Sequence, residues 1–193
     1  LNRSNPRDIK AVGNSLQNCD KVYYYLNSIK PPHTLSFDIK PLAGHKVLIK
    51  TIEDALREDL SNNFKDGGFV KTGYNDELDK QRNLRDKGAK LLGSMQQELI
   101  TLSEVSSLKI KHNNVLGYFI EIPTRHSQKL LSPPLSDVFI HRQTTANSIR
   151  FTTTELGKAE SNILNATSTA LNIELDILNK IQTKILKNSL KIL

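Results

Sequence analysis

The chain of 193 residues contains no tryptophan, one methionine and one cysteine, Cys19. A single cysteine excludes an intramolecular disulfide and a cysteine-rich zinc site. Hydrophobic residues make up 37% of the chain, which is low for a compact globule and predicts elongated elements with much exposed surface. No apolar run approaches the roughly 20 residues that span a bilayer, and no signal-like start follows Leu1, so we expect no membrane association. A chain that opens on leucine also suggests a piece of a larger protein.

Positive charge is in excess along the chain. Lysine and arginine number 27 against 20 aspartates and glutamates, which gives a formal net charge of +7 and an isoelectric point near 9.4. Between Val105 and Phe151 six cations and two anions give 6 − 2 = +4, with three histidines in reserve. A small unit with this balance attracts phosphates by counterion release, and the attraction falls with salt. We therefore predict a polyanionic partner.

Two helices are predicted in the first third of the chain, from apolar residues that recur at steps of three or four. The first begins within Ser4-Asn5-Pro6-Arg7-Asp8, where a capping side chain precedes Pro6, and ends at Pro31-Pro32. The second runs from near Gly44 to Asp59, and Asn62-Asn63 breaks it.

Two longer helices are predicted further along the chain. One runs from about Asp76 to about Leu102, and Gly88 and Gly93 in its interior predict a local bend or an early end. The other follows Thr152-Thr153-Thr154-Glu155, whose spacing is that of a capping box, and continues to near the end of the chain.

Strands are predicted between the two long helices. Residues 108–111 alternate apolar with basic, residues 112–115 supply a turn, and residues 117–122 resume a strand pattern that Pro123 closes. This is a β-hairpin by period and by turn chemistry. Residues 138–151 offer a further strand or two. The sequence therefore predicts a mainly α protein with a small antiparallel β insert.

No catalytic or metal site is predicted. Gly67-Gly68 lacks the spacing and the terminal Lys-Ser/Thr of a phosphate-binding P-loop, so we interpret it as a structural turn. His112 and His126 lack a metal-ligand spacing, and no nucleophile, base and orienting group stand at a credible spacing.

Several short motifs follow one another along the chain at characteristic spacings. They are Arg3-Ser4-Asn5-Pro6-Arg7-Asp8-Ile9, Asp66-Gly67-Gly68, Gly73-Tyr74-Asn75-Asp76-Glu77-Leu78-Asp79, Leu108-Lys109-Ile110 with Gly117-Tyr118, Arg142-Gln143-Thr144 with Asn147 and Arg150-Phe151, and Glu155-Leu156. In this order they resemble the MutS family of DNA mismatch-repair proteins, over essentially the whole chain. The resemblance implies long lever helices that carry a β-sheet clamp. It places the first part of the core and lever at 1–88, the DNA clamp at 89–152 and the return helix at 153–193.

The resemblance also implies partners and cofactors. In the family, two clamps of a homodimer close around duplex DNA and contact its backbone, and the levers connect them to an ATPase. No Walker sequence occurs in this chain, so ATP and Mg²⁺ would belong to the parent protein, and this segment would hold no cofactor and be no enzyme itself. Repair partner proteins and a bacterial-type cytoplasmic location, associated with the nucleoid, are implied for the parent.

The candidate DNA contacts come from the clamp. Asn147 matches the family's asparagine near the DNA-facing turn, whereas Ala146 stands where the family often has lysine, His141 where it often has arginine and Ile149 where glutamate is common. Arg142 and Arg150 have a second interpretation, as partners of carboxylates, and Asn113 and Asn114 have one as turn residues. The full candidate set is Lys111, His112, Asn113, Asn114, Arg142, Thr144, Thr145, Asn147 and Arg150.

Two other functions stay open at this point. The amphipathic helices are also typical of a dimerisation or protein-interaction module. A MutS relative that acts in recombination rather than repair would share this segment, because the regions that distinguish the two lie outside it.

Overall fold

A computed structural model describes residues 5–30, 32, 39–61 and 64–192. Arg3, Ser4, Pro31, Asn62 and Asn63, which contribute to the predicted helix ends and motifs, lie outside the described residues. The chain is mainly helical with one small antiparallel sheet, which confirms the predicted fold class. It divides into two compact units, one of residues 1–79 with 169–193 and one of residues 80–168. We call them the first and the second unit.

The first unit begins with helix α1, Pro6–Ser28. The Asn5 side chain accepts the backbone N–H of Arg7 and Asp8, and the Asp8 carboxylate accepts the N–H of Asn5 in return. This reciprocal capping satisfies N–H groups that the first turn leaves without a partner.

Helix α2, Lys46–Ala55, is shorter than predicted. The sequence predicted a helix to Asp59, which is wrong because Leu56 leaves the helical conformation and forms an isolated antiparallel bridge with Val70. The core of the first unit consists of apolar side chains from α1, α2, this bridge and the two long helices, with Ile9, Leu16, Ile52, Leu56, Phe69, Val70, Leu78, Ile177 and Ile181 among its members.

The two long helices are α3, Asp76–Ser103, and α5, Thr154–Ile192. Helix α3 continues through Gly88 and Gly93, so of the two predicted alternatives, a local bend or an early end, the early end is wrong. The Ile163 side chain lies so close to Gly88 that a Cβ there would fall 2.5 Å from its Cγ1. Gly88 therefore lets α5 pack closely on α3.

The start of α5 differs from the predicted capping box. The Oγ1 of Thr153 accepts the backbone N–H of Leu156 at 3.0 Å. Thr153 is therefore the cap, and the third helical position holds Leu156 in place of a carboxylate. The predicted capping box between Thr152 and Glu155 is therefore wrong, since the cap lies one residue later and has no carboxylate partner.

The second unit contains the sheet, in which neighbouring strands are antiparallel in the order β1-β2-β4-β3. The short helix α4, Ser127–Leu131, lies between β2 and β3 in the chain. One face of the sheet packs on a cluster that includes Leu92, Leu99, Ile120, Ile122, Phe139, Ile149, Phe151 and Leu156. The predicted strands are confirmed as β1 Lys109–Asn113, β2 Gly117–Pro123, β3 Ile140–Thr144 and β4 Ser148–Thr152.

Among the described helices, none combines the length and apolar character that a bilayer crossing needs.

Candidate nucleic-acid interface

The face of the sheet opposite the apolar cluster carries a row of polar side chains. The strand register pairs Lys109 with Glu121, Glu121 with Arg150, and Arg150 with Gln143, so each strand contributes one residue to the row. Opposed residues of antiparallel strands share a face, and Lys111 shares it because side chains alternate with period two. We call these five residues the outer-face cluster.

Glu121 joins two cations of the outer-face cluster. Its Oε1 accepts from Lys111 Nζ at 2.5 Å, and its Oε2 accepts from Arg150 Nε at 3.1 Å. The hydrogen bond from Lys111 holds the pKa of the Glu121 carboxyl below its ordinary value, partial burial opposes this, and Arg150 adds to the lowering. The cluster has three cations and one anion, so 3 − 1 leaves it at +2.

Arg150 is held by three contacts. Besides Glu121, its Nη1 donates to Gln143 Oε1 at 2.8 Å, and its guanidinium lies 4.7 Å from the centre of the Phe119 ring. Phe119 lies on the same face and is only 3% exposed. The carboxylate pairing that the sequence left open for Arg150 is therefore present, and the arginine also covers an aromatic ring.

The two hairpin turns lie at opposite ends of the sheet. Turn one, residues 114–116, joins β1 to β2 next to Gly117, and turn two, residues 145–147, joins β3 to β4 next to Ser148. Ser148 pairs with Pro123, six residues along β2 from Gly117. At about 3.3 Å per residue the two turns are roughly 20 Å apart. The sequence grouped residues of both turns into one set, and the structure divides them.

Turn one is shaped by Asn113. Its Oδ1 accepts the backbone N–H of Val115 at 2.9 Å and of Leu116 at 2.7 Å, which is the turn role that the sequence left open. Asn114 is exposed, and the His112 ring packs against Tyr118 with 4.8 Å between ring centres.

Turn two is shaped by Thr145. Its Oγ1 donates to the Ser148 carbonyl at 2.9 Å and accepts the Ser148 N–H at 3.1 Å. The side chain of Thr144 is exposed and lies 3.0 Å from the Nε2 of His141. Asn147 is exposed, and its backbone carbonyl accepts from Thr124 N–H at 3.2 Å.

Arg142 lies at an irregularity in edge strand β3. His141 pairs with Phe151 and Gln143 with Arg150, so Arg142 is an extra residue in β3 that is not paired with a residue of β4. A bulge of this kind turns a side chain away from the regular alternation, and Arg142 is exposed.

Lys109, Gln143 and Glu121 are not among the site residues predicted from the sequence. Alternation of apolar and polar residues indicates which face Lys109 and Glu121 share with Lys111. The row itself depends on which strands are neighbours, and on the bulge that brings Gln143 opposite Arg150.

The backbone N–H groups at the Gly67-Gly68 turn of the first unit already have an acceptor within the chain. Glu174 is 2% exposed, and its carboxylate accepts the backbone N–H of Gly68 at 2.9 Å, of Phe69 at 2.8 Å and of Val70 at 3.3 Å. These donors hold a carboxylate of the chain itself, which agrees with a structural turn. Within the described ranges, no three histidine, cysteine, aspartate or glutamate side chains are grouped to hold a metal ion.

Comparison with known proteins matches the second unit to a family. The model for MutS family domain IV covers residues 73–169, which include the whole sheet and both turns. The chain belongs to the MutS family. Proteins named DNA mismatch repair protein MutS are 45% identical in Roseobacter denitrificans and 40% identical in Ruegeria pomeroyi, each over the whole chain, and 44% identical over 96% of it in Dinoroseobacter shibae. The chain spans about a fifth of the length of these MutS relatives, 22%, 22% and 21%.

Proposed function

We propose that the chain is the core and clamp segment of a DNA mismatch-repair protein, and that its second unit contacts the backbone of duplex DNA without reading sequence. The observation that carries the proposal is the exposed charge of this unit. Residues 80–168 contain twelve lysines and arginines and seven aspartates and glutamates, so 12 − 7 gives +5. That charge favours a polyanion, and MutS membership favours DNA as the polyanion.

The exposed side chains at the two turns and on strand β3 suit phosphate groups rather than bases. Exposed Asn114, Arg142, Thr144 and Asn147 offer hydrogen-bond donors that fit phosphate oxygens. The two turns are roughly 20 Å apart along β2, which corresponds to about six base pairs at 3.4 Å each. A sheet of this size could therefore contact two separate stretches of backbone.

The remaining functions of a repair protein are assigned to the rest of the parent. ATP and Mg²⁺ binding, the homodimer partner, mismatch reading and contacts with repair partner proteins belong there, because the chain covers about a fifth of its relatives. The long helices α3 and α5 would serve as levers that couple DNA grip to the nucleotide state of the ATPase. Repair is favoured over recombination because the relatives are named for mismatch repair.

The test is binding of the chain to a short labelled duplex by fluorescence anisotropy. We expect equal affinity for matched and mismatched duplexes, and a fall in log K with log salt of about 0.9 per phosphate contacted. Replacing Arg142 with glutamine should weaken binding. The matched control is Lys129→Gln, which removes the same charge from a lysine that pairs with Glu104 on the α4 side of the unit. Absence of binding near 50 mM salt, or equal losses in both variants, would contradict the assigned surface.

A protein-interaction role has one observation in its favour. Val22, Tyr25 and Ile29 of the α1 region are 49%, 69% and 60% exposed and recur at helical spacing. Concentration-dependent self-association in sedimentation experiments, without DNA affinity at low salt, would support this second function.

A further inference from the structure

We propose that Glu121 restrains the DNA grip of the second unit, because it engages two cations of the outer-face cluster, one of which, Lys111, would otherwise be available to phosphate. This inference rests on the proposed function, and in it a carboxylate of the chain competes with phosphate for the same cations. Each oxygen of the carboxylate holds one cation, Lys111 on one side and Arg150 on the other. A phosphate oxygen that approaches either cation replaces the same kind of hydrogen bond that Glu121 already accepts.

The two cations are restrained to different degrees. The side chain of Lys111 is 50% exposed, and its ammonium forms a salt bridge with Glu121. The side chain of Arg150 is 23% exposed, and the Gln143 amide and the Phe119 ring hold it as well. Loss of the carboxylate charge would therefore release Lys111, whereas Arg150 would stay in place over the ring.

The position of Glu121 strengthens this competition. It is 18% exposed and stands in the row between Lys109 and Arg150, so its charge lies inside the face that phosphate would approach. A carboxylate there repels phosphate directly and also neutralises the neighbouring cations. The outer-face cluster would change from +2 to +3 when the carboxylate becomes an amide.

The test compares Glu121→Gln with the unsubstituted chain in duplex binding. The amide keeps an oxygen that accepts from Arg150, so the sheet should stay folded, which circular dichroism checks. We expect roughly three- to tenfold tighter binding near 50 mM salt. The plot of log K against log salt should be steeper by about 0.9, which is the slope that one more phosphate contact adds. Glu121→Asp keeps the charge but shortens the reach to Lys111, and its affinity should fall between the two.

Two controls separate release of Lys111 from a change in net charge. Glu104→Gln removes one negative charge from a second glutamate–lysine pair, 2.6 Å from Lys129, and should change affinity less than twofold. Lys111→Gln in the Glu121→Gln background should abolish the increase in slope, because the released cation is absent.

The outcomes distinguish the two proposals. If Arg142→Gln weakens binding and Glu121→Gln leaves the affinity unchanged or lower, the restraint by Glu121 is overturned and the DNA-binding function stands. If Glu104→Gln tightens binding as much as Glu121→Gln, net charge explains the gain and the restraint is again overturned. If the folded, unsubstituted chain does not bind duplex at low salt, both proposals are overturned.

Discussion

The carboxylate of Glu160 occupies the space in which a side chain at Gly117 would begin. A Cβ at position 117 would overlap Oε1 of Glu160 and lie 2.8 Å from its Cδ. The same Oε1 accepts the backbone N–H of Tyr118 at 3.0 Å. Gly117 also has a φ of +68°, which side chains rarely tolerate. The first hairpin therefore meets α5 at a position that glycine alone fits.

Gly117→Ala should destabilise the chain for both reasons. The left-handed conformation costs about 1–2 kcal/mol for a residue with a Cβ, and a Glu160 carboxylate that moves aside for the Cβ loses its hydrogen bond from the Tyr118 N–H, which adds about 0.5–1.5 kcal/mol. We expect a clear fall in the midpoint of urea unfolding. Glu160→Gln keeps an acceptor for Tyr118 and should cost less than about 1 kcal/mol. An unchanged midpoint for Gly117→Ala would show that the hairpin and helix do not meet in this way.

Two glycines of α3 should respond in opposite directions to alanine. A Cβ at Gly88 would fall 2.5 Å from Ile163 Cγ1, whereas nothing lies within 4 Å of a Cβ at Gly93. Gly93→Ala should stabilise by about 0.5–1 kcal/mol through helix propensity, and Gly88→Ala should destabilise by about 1–2 kcal/mol because overpacking outweighs that gain. Thermal unfolding of both variants provides the measurement, and stabilisation of both would contradict the close packing of α5 on α3.

Removal of the buried carboxylate at Glu174 should loosen the glycine turn. Glu174→Ala leaves the backbone N–H groups of Gly68, Phe69 and Val70, the last two of them buried, without this acceptor and should cost about 2–4 kcal/mol. Asp176→Asn on the same helix affects an exposed pair with Lys180 and should cost about 0.5 kcal/mol or less. Amide hydrogen exchange of the turn residues should accelerate in the first variant. Comparable effects of the two substitutions would refute this role for Glu174.

Stability should depend on pH through Glu121. Its pKa is lowered in the folded chain, so its ion pairs stabilise the fold above the ordinary glutamate pKa of about 4.3. That contribution to stability is lost as the pH falls through the lower pKa that Glu121 has in the folded chain. The difference in Tm between the unsubstituted chain and Glu121→Gln should therefore be largest at neutral pH and shrink below about pH 4. A difference that stays constant down to pH 3 would exclude this linkage, and Glu104→Gln, whose carboxyl is exposed, should show a smaller trend.

The two turns should contribute independently to DNA binding. Asn114→Ala and Asn147→Ala make the same chemical change in turn one and turn two, roughly 20 Å apart along β2. Each should lower affinity a few-fold, and the double variant should show the product of the two losses to within about 0.5 kcal/mol. Anisotropy at a fixed salt concentration measures all three. A double variant no weaker than the single ones would mean that the turns do not contact DNA separately.

The fold could be predicted from periodicity wherever an element buries a continuous apolar stripe. The long helices follow from steps of three or four and the first hairpin from alternation, whereas residues 138–151 predicted one or two further strands without fixing their number. The errors occur where tertiary contacts override local pattern. Helix α2 stops at Ala55 because Leu56 pairs with Val70, and α3 continues through Gly88 because Ile163 packs against it.

The candidate site was less predictable than the fold. The chemistry of Asn113 and Thr145 is visible in sequence, but whether such side chains bind phosphate or shape a turn depends on backbone N–H groups that the fold brings near them. Cross-strand register places Glu121 against Lys111 and Arg150. A sequence gives this register only once the strand order and the bulge at Arg142 are known.

The cations on the two outer strands of the sheet have a consequence for solubility. Among the described strands, none covers the outer side of β1 or of β3, and an open strand side of this kind favours pairing with a second molecule. Lys109 and Lys111 lie on edge strand β1, and the bulged Arg142 lies on edge strand β3. Charged side chains and bulges on edge strands both discourage such pairing. Variants that neutralise these residues to map DNA contacts would also remove a barrier to aggregation. Their binding should therefore be measured only on samples shown to be monodisperse.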